Sequence, residues 1–216
     1  MLTKISKVLT LLQHPSLTKL TCSMSIQGYL KDIGWVDSFI RKMPVDGRGR
    51  PLPWVTYPFI DFIEARLNST MRIFEFGSGN STLWYAGRVK TVVSVEHDRF
   101  WYDKISHTMP DNVSLNYQAI NDDSKYAKFA TNLKTEFDIV IVDGRERVNC
   151  IKNALQALGS NGVIVLDDSE RDAYREGLDF LKDQGFRRID FWGIAPAVFF
   201  KKCTTVFYRD DNVLGL

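Results

Sequence analysis

Arg72-Ile-Phe-Glu-Phe-Gly77-Ser-Gly79-Asn-Ser-Thr-Leu-Trp-Tyr-Ala86 places a short apolar run directly before two closely spaced glycines. The apolar run predicts a β-strand, and the residues after Gly79 predict a helix. The two glycines let the backbone turn sharply and approach a ligand more closely than a Cβ atom would permit. A strand, a glycine-rich loop and a helix in this order are typical of α/β proteins that bind an adenosine-containing cofactor.

The remainder of the chain from residue 71 alternates between strand and helix patterns. Two runs, 137–142 and 162–166, are almost continuously apolar, as strands covered on both faces require. No helical pattern separates the last two β-rich runs, so we expect them to form an antiparallel hairpin. The predicted fold class is α/β, a doubly wound and mostly parallel seven-stranded sheet with an antiparallel last strand. Strands are predicted at 72–76, 91–95, 113–117, 137–142, 162–167, 186–192 and 202–207, and helices at 81–87, 99–107, 146–158 and 171–184.

Residues 1–70 are predicted to form an N-terminal helical cap or lid, and residues 71–216 a cofactor-binding domain. Apolar residues within 2–12 share one helical face, and Pro15 is expected to end that helix. We expect this helix either to pack on its own domain or to dock on a membrane surface or a partner. A second helical region at 26–42 is weakened by Gly34. The aromatic residues at 54–57 either pack in the core or cover the ligand.

The composition is that of an ordinary globular protein, with 44% apolar and 25% charged residues and a formal charge of +2. This charge gives no reason to expect a nucleic-acid partner. No apolar run approaches the length of a membrane span. Cys22, Cys150 and Cys203 form neither a zinc-binding pattern nor a disulfide framework, so we expect a cytoplasmic protein with reduced thiols.

An acid follows the second strand: Glu96 lies nineteen residues after Gly77. A carboxylate at this point can accept hydrogen bonds from both hydroxyls of a ribose. Ribose recognition by Glu96 suits NAD equally well, so this residue alone does not identify the cofactor. The predicted antiparallel end of the sheet argues against a dinucleotide domain.

Two motifs carry a family resemblance over about residues 54–208. E-x-G-x-G-x-S at 75–81 and V-V-S-V-E-H-D at 92–98 resemble motifs I and II of class I S-adenosylmethionine-dependent methyltransferases, in particular small bacterial ones with an E-F-G-S-G-N-S-T-L-W loop. Ser81 stands where the family usually has a third glycine. The resemblance implies that S-adenosylmethionine binds to Glu75, Gly77, Ser78, Gly79, Asn80, Ser81, Glu96, His97, Ile120 and Asp143.

Acids also follow the fourth and fifth predicted strands. The spacing of Asp143, Asp167 and Asp168 is similar to that in metal-dependent O-methyltransferases, and this resemblance implies a Mg²⁺ site. Asp167 or Asp168 serves equally well as the N-cap of the following helix. Asp143 is our first candidate for a catalytic base or metal ligand, and Asp168 is the second. Arg145 and Arg147 are candidates for holding an anionic substrate.

The sequence therefore predicts a methyltransferase that acts on a hydroxyl of a small molecule or sugar, and it leaves open whether the protein forms a homodimer. Two alternatives remain open at this point. One is an NAD(P)-dependent oxidoreductase, and the other is a cofactor-binding partner protein without turnover.

Overall fold

The computed structural model describes residues 14–120 and 124–216. The helix predicted within 1–12 lies outside these ranges. Along the chain, the structure contains α1 (Pro15–Met24), α2 (Tyr29–Asp32), α3 (Trp35–Arg41), α4 (Tyr57–Glu64), β1 (Arg72–Phe76), α5 (Asn80–Ala86), β2 (Thr91–Glu96), α6 (Arg99–Ile105), β3 (Val113–Tyr117), α7 (Phe129–Asn132), β4 (Phe137–Val142), α8 (Arg147–Ala154), β5 (Leu158–Asp167), α9 (Arg175–Asp183), β6 (Arg187–Gly193) and β7 (Lys202–Tyr208).

The strands form one seven-stranded sheet in the order β3-β2-β1-β4-β5-β7-β6. β1 to β5 are parallel to one another, whereas β7 runs antiparallel between β5 and β6. The predicted fold class is therefore confirmed, including the antiparallel strand near the chain's end. Because five strands are parallel, their carboxyl ends meet along one edge, where ligands of such sheets bind.

Several predicted boundaries differ from the observed ones for local reasons. β5 begins at Leu158, earlier than predicted, because Leu158 pairs with Phe137 before a register shift. The helix predicted at 146–158 consequently ends at Ala154. Pro15 occupies the first turn of α1, where its missing N–H costs nothing, and the helix that it was expected to end lies outside the described residues. Gly34, in the left-handed region with φ 81°, divides the predicted helix 26–42 into α2 and α3.

Side chains of the sheet alternate between two buried layers. This alternation follows from the two-residue repeat of a β-strand. One layer contains Ile73, Ile139, Ile141, Val163, Val165 and Val206. The other contains Phe74, Phe76, Val140, Val142, Ile164 and Leu166. Trp35, Phe59 and Ile60 from the N-terminal region join the first layer. The predicted division of the chain at residue 70 stays a prediction.

Three side-chain hydrogen bonds fasten residues 35–56 to β6 and to the segment that connects β6 and β7. Trp35 Nε1 donates to the Val198 carbonyl (3.1 Å), and Trp54 Nε1 donates to the Pro196 carbonyl (2.8 Å). Thr56 Oγ1 donates to the Phe191 carbonyl of β6 (2.9 Å). These contacts fix the segment that forms one wall of the cleft described below. Within 14–120 and 124–216, no helix combines the length and apolar character needed to cross a bilayer.

Candidate active site

A cleft of about 540 Å³ lies at the carboxyl ends of β1, β2, β4 and β5. This volume is within the usual range of small-ligand pockets, about 300–1,000 Å³. The strand ends contribute Glu75, Gly77, Ser78, Gly79, Asn80, Ser81, Glu96, His97, Asp143, Gly144, Arg145, Arg147, Asp168 and Arg171. The N-terminal region contributes Lys42, Met43, Pro44 and Trp54, and α6 contributes Trp101 and Lys104. Of the predicted cofactor residues, Ile120 alone does not line this cleft.

The backbone turns at Gly77, whose φ of 100° strains any residue with a side chain. A Cβ atom at Gly77 would lie 3.4 Å from the backbone of Gly144, so the loops after β1 and β4 approach each other closely. The Gly77 amide donates to the Val95 carbonyl (2.9 Å), which joins the loop to β2. The glycine loop is thus fixed between two strands and leaves its outer side open to the cleft.

Glu75 is almost completely buried beneath the loop. Its carboxylate accepts hydrogen bonds from the hydroxyls of Ser81, Thr82 and Ser94. Burial raises the pKa of Glu75, and the three hydroxyl donors oppose that rise. Ser81 stands where the family usually has a glycine, and its hydroxyl, like that of Thr82, binds this buried carboxylate.

Glu96 lies at the end of β2 with 4% of its surface exposed. Its Oε1 accepts from the backbone amides of His97 (2.8 Å) and Asp98 (2.9 Å). Its Oε2 accepts from Ser78 Oγ (2.7 Å), which ties the carboxylate to the glycine loop. Each carboxylate oxygen has two acceptor positions, so Oε2 can still accept from a ligand hydroxyl. His97 Nδ1 lies 2.9 Å from Oε1 without hydrogen-bonding geometry, and its ring borders the cleft.

Three residues have positions that the sequence did not indicate. The Asn80 amide nitrogen donates to the Pro44 carbonyl (2.7 Å), so this side chain connects the glycine loop to the N-terminal region. Trp101, which is not among the predicted site residues, lines the cleft and donates through Nε1 to the Ser78 carbonyl (3.0 Å). Ile120 is 40% exposed beside residues 121–123 and away from the cleft lining.

Asp143 follows β4 and keeps 24% of its side chain exposed, on the cleft. Its Oδ1 accepts from Arg147 Nη2 (2.8 Å), and its Oδ2 accepts no hydrogen bond from any residue of the described ranges. Burial and the nearby Asp167 carboxylate raise the pKa of Asp143, whereas Arg147 opposes the rise. Arg147 is buried and also contacts Asp168, and its role in holding an anionic substrate stays a prediction.

The three carboxylates proposed as magnesium ligands are bound by cationic side chains. Lys202 Nζ lies 2.6 Å from Asp167 Oδ2 and 2.8 Å from Asp168 Oδ1. Arg171 Nη2 lies 2.7 Å from Asp168 Oδ2. Asp167 faces Lys202 rather than the cleft. Residues 14–120 and 124–216 contain no group of acids, histidines or cysteines that could hold a metal ion. These carboxylates do not fit Mg²⁺, because cationic side chains already bind them. The structure therefore gives the predicted metal site no support.

Lys202 is the residue of this cluster that sequence reasoning missed. It lies thirty-five residues after Asp167, and the only signal for it is a lysine at the start of an otherwise uncharged final strand. Antiparallel pairing places Thr204 opposite Asp167, and this register brings Lys202 to the two acids. The expected antiparallel end of the sheet could have suggested the contact, but the register could not be read from the sequence.

Gly144 offers a direct test of how tightly the two loops pack. A Cβ atom at residue 144 would lie 2.0 Å from Tyr126 Oη, which is buried, and 3.1 Å from the Gly77 nitrogen. We expect Gly144→Ala to lower the free energy of unfolding in urea by about 1–3 kcal/mol, the usual effect of overpacking. Adding Tyr126→Phe should recover part of the loss because it removes the clashing oxygen.

Gly159→Ala is the matched control, because its Cβ would meet its nearest neighbour at an ordinary 3.5 Å. Equal stability of the Gly144→Ala and Gly159→Ala proteins would contradict the close approach of the two loops.

The sequence matches no family model and no curated protein sequence. Solved structures, in contrast, match the fold. Precorrin-6y C5,15-methyltransferase from Geobacter metallireducens is 16% identical with a TM-score of 0.53, over 70% of this chain and 88% of that one. An rRNA methylase from Streptococcus thermophilus is 16% identical with a TM-score of 0.53, over 73% and 99%. The O-methyltransferase TomG from Streptomyces achromogenes, in complex with S-adenosylmethionine, is 18% identical with a TM-score of 0.52, over 68% and 76%.

At these low sequence identities, the structural similarity establishes the fold alone. The chain has the Rossmann-like fold of the class I S-adenosylmethionine-dependent methyltransferases, and the resemblance inferred from its motifs is confirmed at this level.

Proposed function

We propose that the protein is an S-adenosylmethionine-dependent methyltransferase that acts on a hydroxyl oxygen of a small molecule or sugar. The observation that carries this proposal is the geometry around Glu96. In this fold, the nearly buried carboxylate of Glu96 borders the cleft beside the strained turn at Gly77, and its Oε2 can accept a further hydrogen bond.

The residues of the cleft suit this cofactor. The ribose hydroxyls would donate to Glu96 Oε2, either with Ser78 or in its place. The open backbone at Gly77 and Gly79 leaves room for the methionine part, and Trp101 offers an aromatic surface beside it. S-adenosylmethionine, when bound, supplies a methyl group on a positively charged sulfur that is already electrophilic.

The chain's own task is then to orient the acceptor and to take its proton. Asp143 Oδ2 is the proposed base, because it borders the cleft and Arg147 fixes the other oxygen of the same carboxylate. A carboxylate with a raised pKa is a stronger base than an exposed one, which suits a hydroxyl acceptor. Both carboxylate oxygens of Asp168 are bound by cationic side chains, namely Lys202, Arg147 and Arg171. We therefore assign Asp168 to positioning rather than to proton transfer.

The acceptor would lie between Asp143 and the N-terminal wall. Met43 and Trp54 give this wall an apolar character, and Trp54 is 46% exposed. Lys42, Lys104 and Arg145 line the same cleft and form no ion pair within the described ranges. An acceptor with a planar or apolar ring and an acidic group would match this lining.

The proposed function is tested by transfer of radiolabelled methyl groups from S-adenosylmethionine to a panel of phenols, hydroxy acids and sugars. Paired panel members with and without a carboxylate or phosphate test the acidic group separately. Label in an ether product that survives base, together with release of S-adenosylhomocysteine, is the expected result. Cofactor binding without transfer to any class of acceptor would favour a binding protein without turnover.

A further inference from the structure

Asp143, Asp167 and Asp168 form a cluster with Lys202, Arg147 and Arg171 in which three carboxylates face three cations. Lys202 Nζ contacts one oxygen of Asp167 (2.6 Å) and one of Asp168 (2.8 Å). Glu170, the next acid along the chain, accepts instead from the Cys203 backbone amide (2.8 Å). The cluster therefore has no excess negative charge with which to attract a divalent ion.

Burial makes the position of Lys202 unusual. Its side chain is 7% exposed, and the Asp167 side chain is 2% exposed. Burial alone would lower the pKa of Lys202, but the two carboxylates raise it above its usual value, so the ammonium stays charged. Thr204 Oγ1 donates to the second oxygen of Asp167 (2.7 Å), which completes the coordination of that carboxylate.

Asp168 has a backbone φ of 54°, a conformation that L-residues rarely adopt. Such a conformation persists only where the surroundings hold it, and here Lys202, Arg147 and Arg171 bind its two oxygens. Arg147 continues the chain of contacts to Asp143. Lys202 thus reaches the cleft through Asp168 and Arg147.

We propose that the Lys202 ammonium takes the place of a divalent cation between the carboxylates that follow β4 and β5, so that the protein binds no metal there. Lys202 is then a positioning residue: it holds Asp168, and through Arg147 it holds Asp143, without touching the ligands of the cleft.

The test compares the wild-type protein with Lys202→Met, which keeps the length of the side chain and removes its charge. Lys201→Met is the matched control, because Lys201 lies over the Trp192 ring (4.4 Å) and is exposed. We measure Mn²⁺ binding by electron paramagnetic resonance and the melting temperature as a function of Mg²⁺ concentration. The wild-type and Lys201→Met proteins should bind no Mn²⁺ saturably, and Mg²⁺ should not change their melting temperatures.

The Lys202→Met protein should melt at a lower temperature, gain a saturable Mn²⁺ site and be stabilised by Mg²⁺. Adding Asp168→Asn should abolish that site, a result that a merely structural role of Lys202 would not produce. A folded Lys202→Met protein that binds no Mn²⁺ would overturn the proposal.

The proposal would also be overturned if the wild-type protein bound Mn²⁺ saturably and Asp168→Asn removed that binding. This second experiment tests the proposal even if the Lys202→Met protein does not fold. None of these measurements involves methyl transfer, so their outcome is independent of the proposed function.

Discussion

Asp143→Asn is expected to lower kcat by about 10²–10⁴-fold, the usual contribution of a general base, while the affinity for S-adenosylhomocysteine changes little. Asparagine keeps the shape of the side chain and can still accept from Arg147 through its carbonyl oxygen, but it cannot take a proton from the acceptor. The measurement is steady-state methyl transfer to the acceptor found in the screen, together with isothermal titration of S-adenosylhomocysteine. Asp179→Asn, at an exposed position of α9, is the control and should retain wild-type activity.

The pH dependence of kcat tests the role of Asp143 in a second way. Because burial and Asp167 raise the pKa of Asp143, its carboxyl group stays protonated to a higher pH than an exposed aspartate. A protonated base cannot accept the hydroxyl proton, so kcat should rise as the pH rises through this pKa and then level off. The Asp143→Asn protein should lack this rise. A near-normal kcat in the variant, or an unchanged pH profile, would remove Asp143 from the chemistry.

Glu96→Ala is expected to weaken binding of S-adenosylhomocysteine by at least about 100-fold, measured by isothermal titration. Hydrogen bonds to a charged group contribute about 1.5–3 kcal/mol each, and the variant loses those from the ribose hydroxyls. The loop also loses an acceptor for Ser78 and for the amides of His97 and Asp98. The loss should therefore appear in affinity and, to a smaller extent, in stability.

Ser78→Ala separates these two effects, because it removes the loop's hydrogen bond and keeps the carboxylate. We expect its affinity for S-adenosylhomocysteine to fall by less than about tenfold, or less than about 1.4 kcal/mol. Equal losses in Ser78→Ala and Glu96→Ala would mean that Glu96 shapes the loop and does not bind the ligand.

The sheet could be predicted from the sequence because its signals are local. Runs such as 137–142 and 162–166 are almost continuously apolar, so their positions and their burial follow from the local sequence. Glu96 and the glycines at 77 and 79 could be assigned to one site because each directly follows a parallel strand, and such strand ends meet at one edge. The start of β5 could not be predicted, because Leu158 joins the strand only through its pairing with Phe137.

The charge network of the site could not be predicted, because it depends on contacts between distant parts of the chain. Asp143, Asp167 and Asp168 resemble a metal-binding set when only their spacing is considered. The structure adds Lys202 through the register of β7 and Arg147 through the first turn of α8, and these cations neutralise the acids. Likewise, Ser81 looks like a departure from the family's glycine until its bond to the buried Glu75 is seen.

The central claim is that the cleft between Gly77 and Glu96 binds an adenosyl sulfonium cofactor rather than a dinucleotide. Parallel isothermal titrations of the wild-type protein with S-adenosylhomocysteine and with NAD test it most directly. Saturable, equimolar binding of S-adenosylhomocysteine with no heat of binding from NAD is the predicted result. Binding of NAD in the absence of any response to S-adenosylhomocysteine would contradict the account.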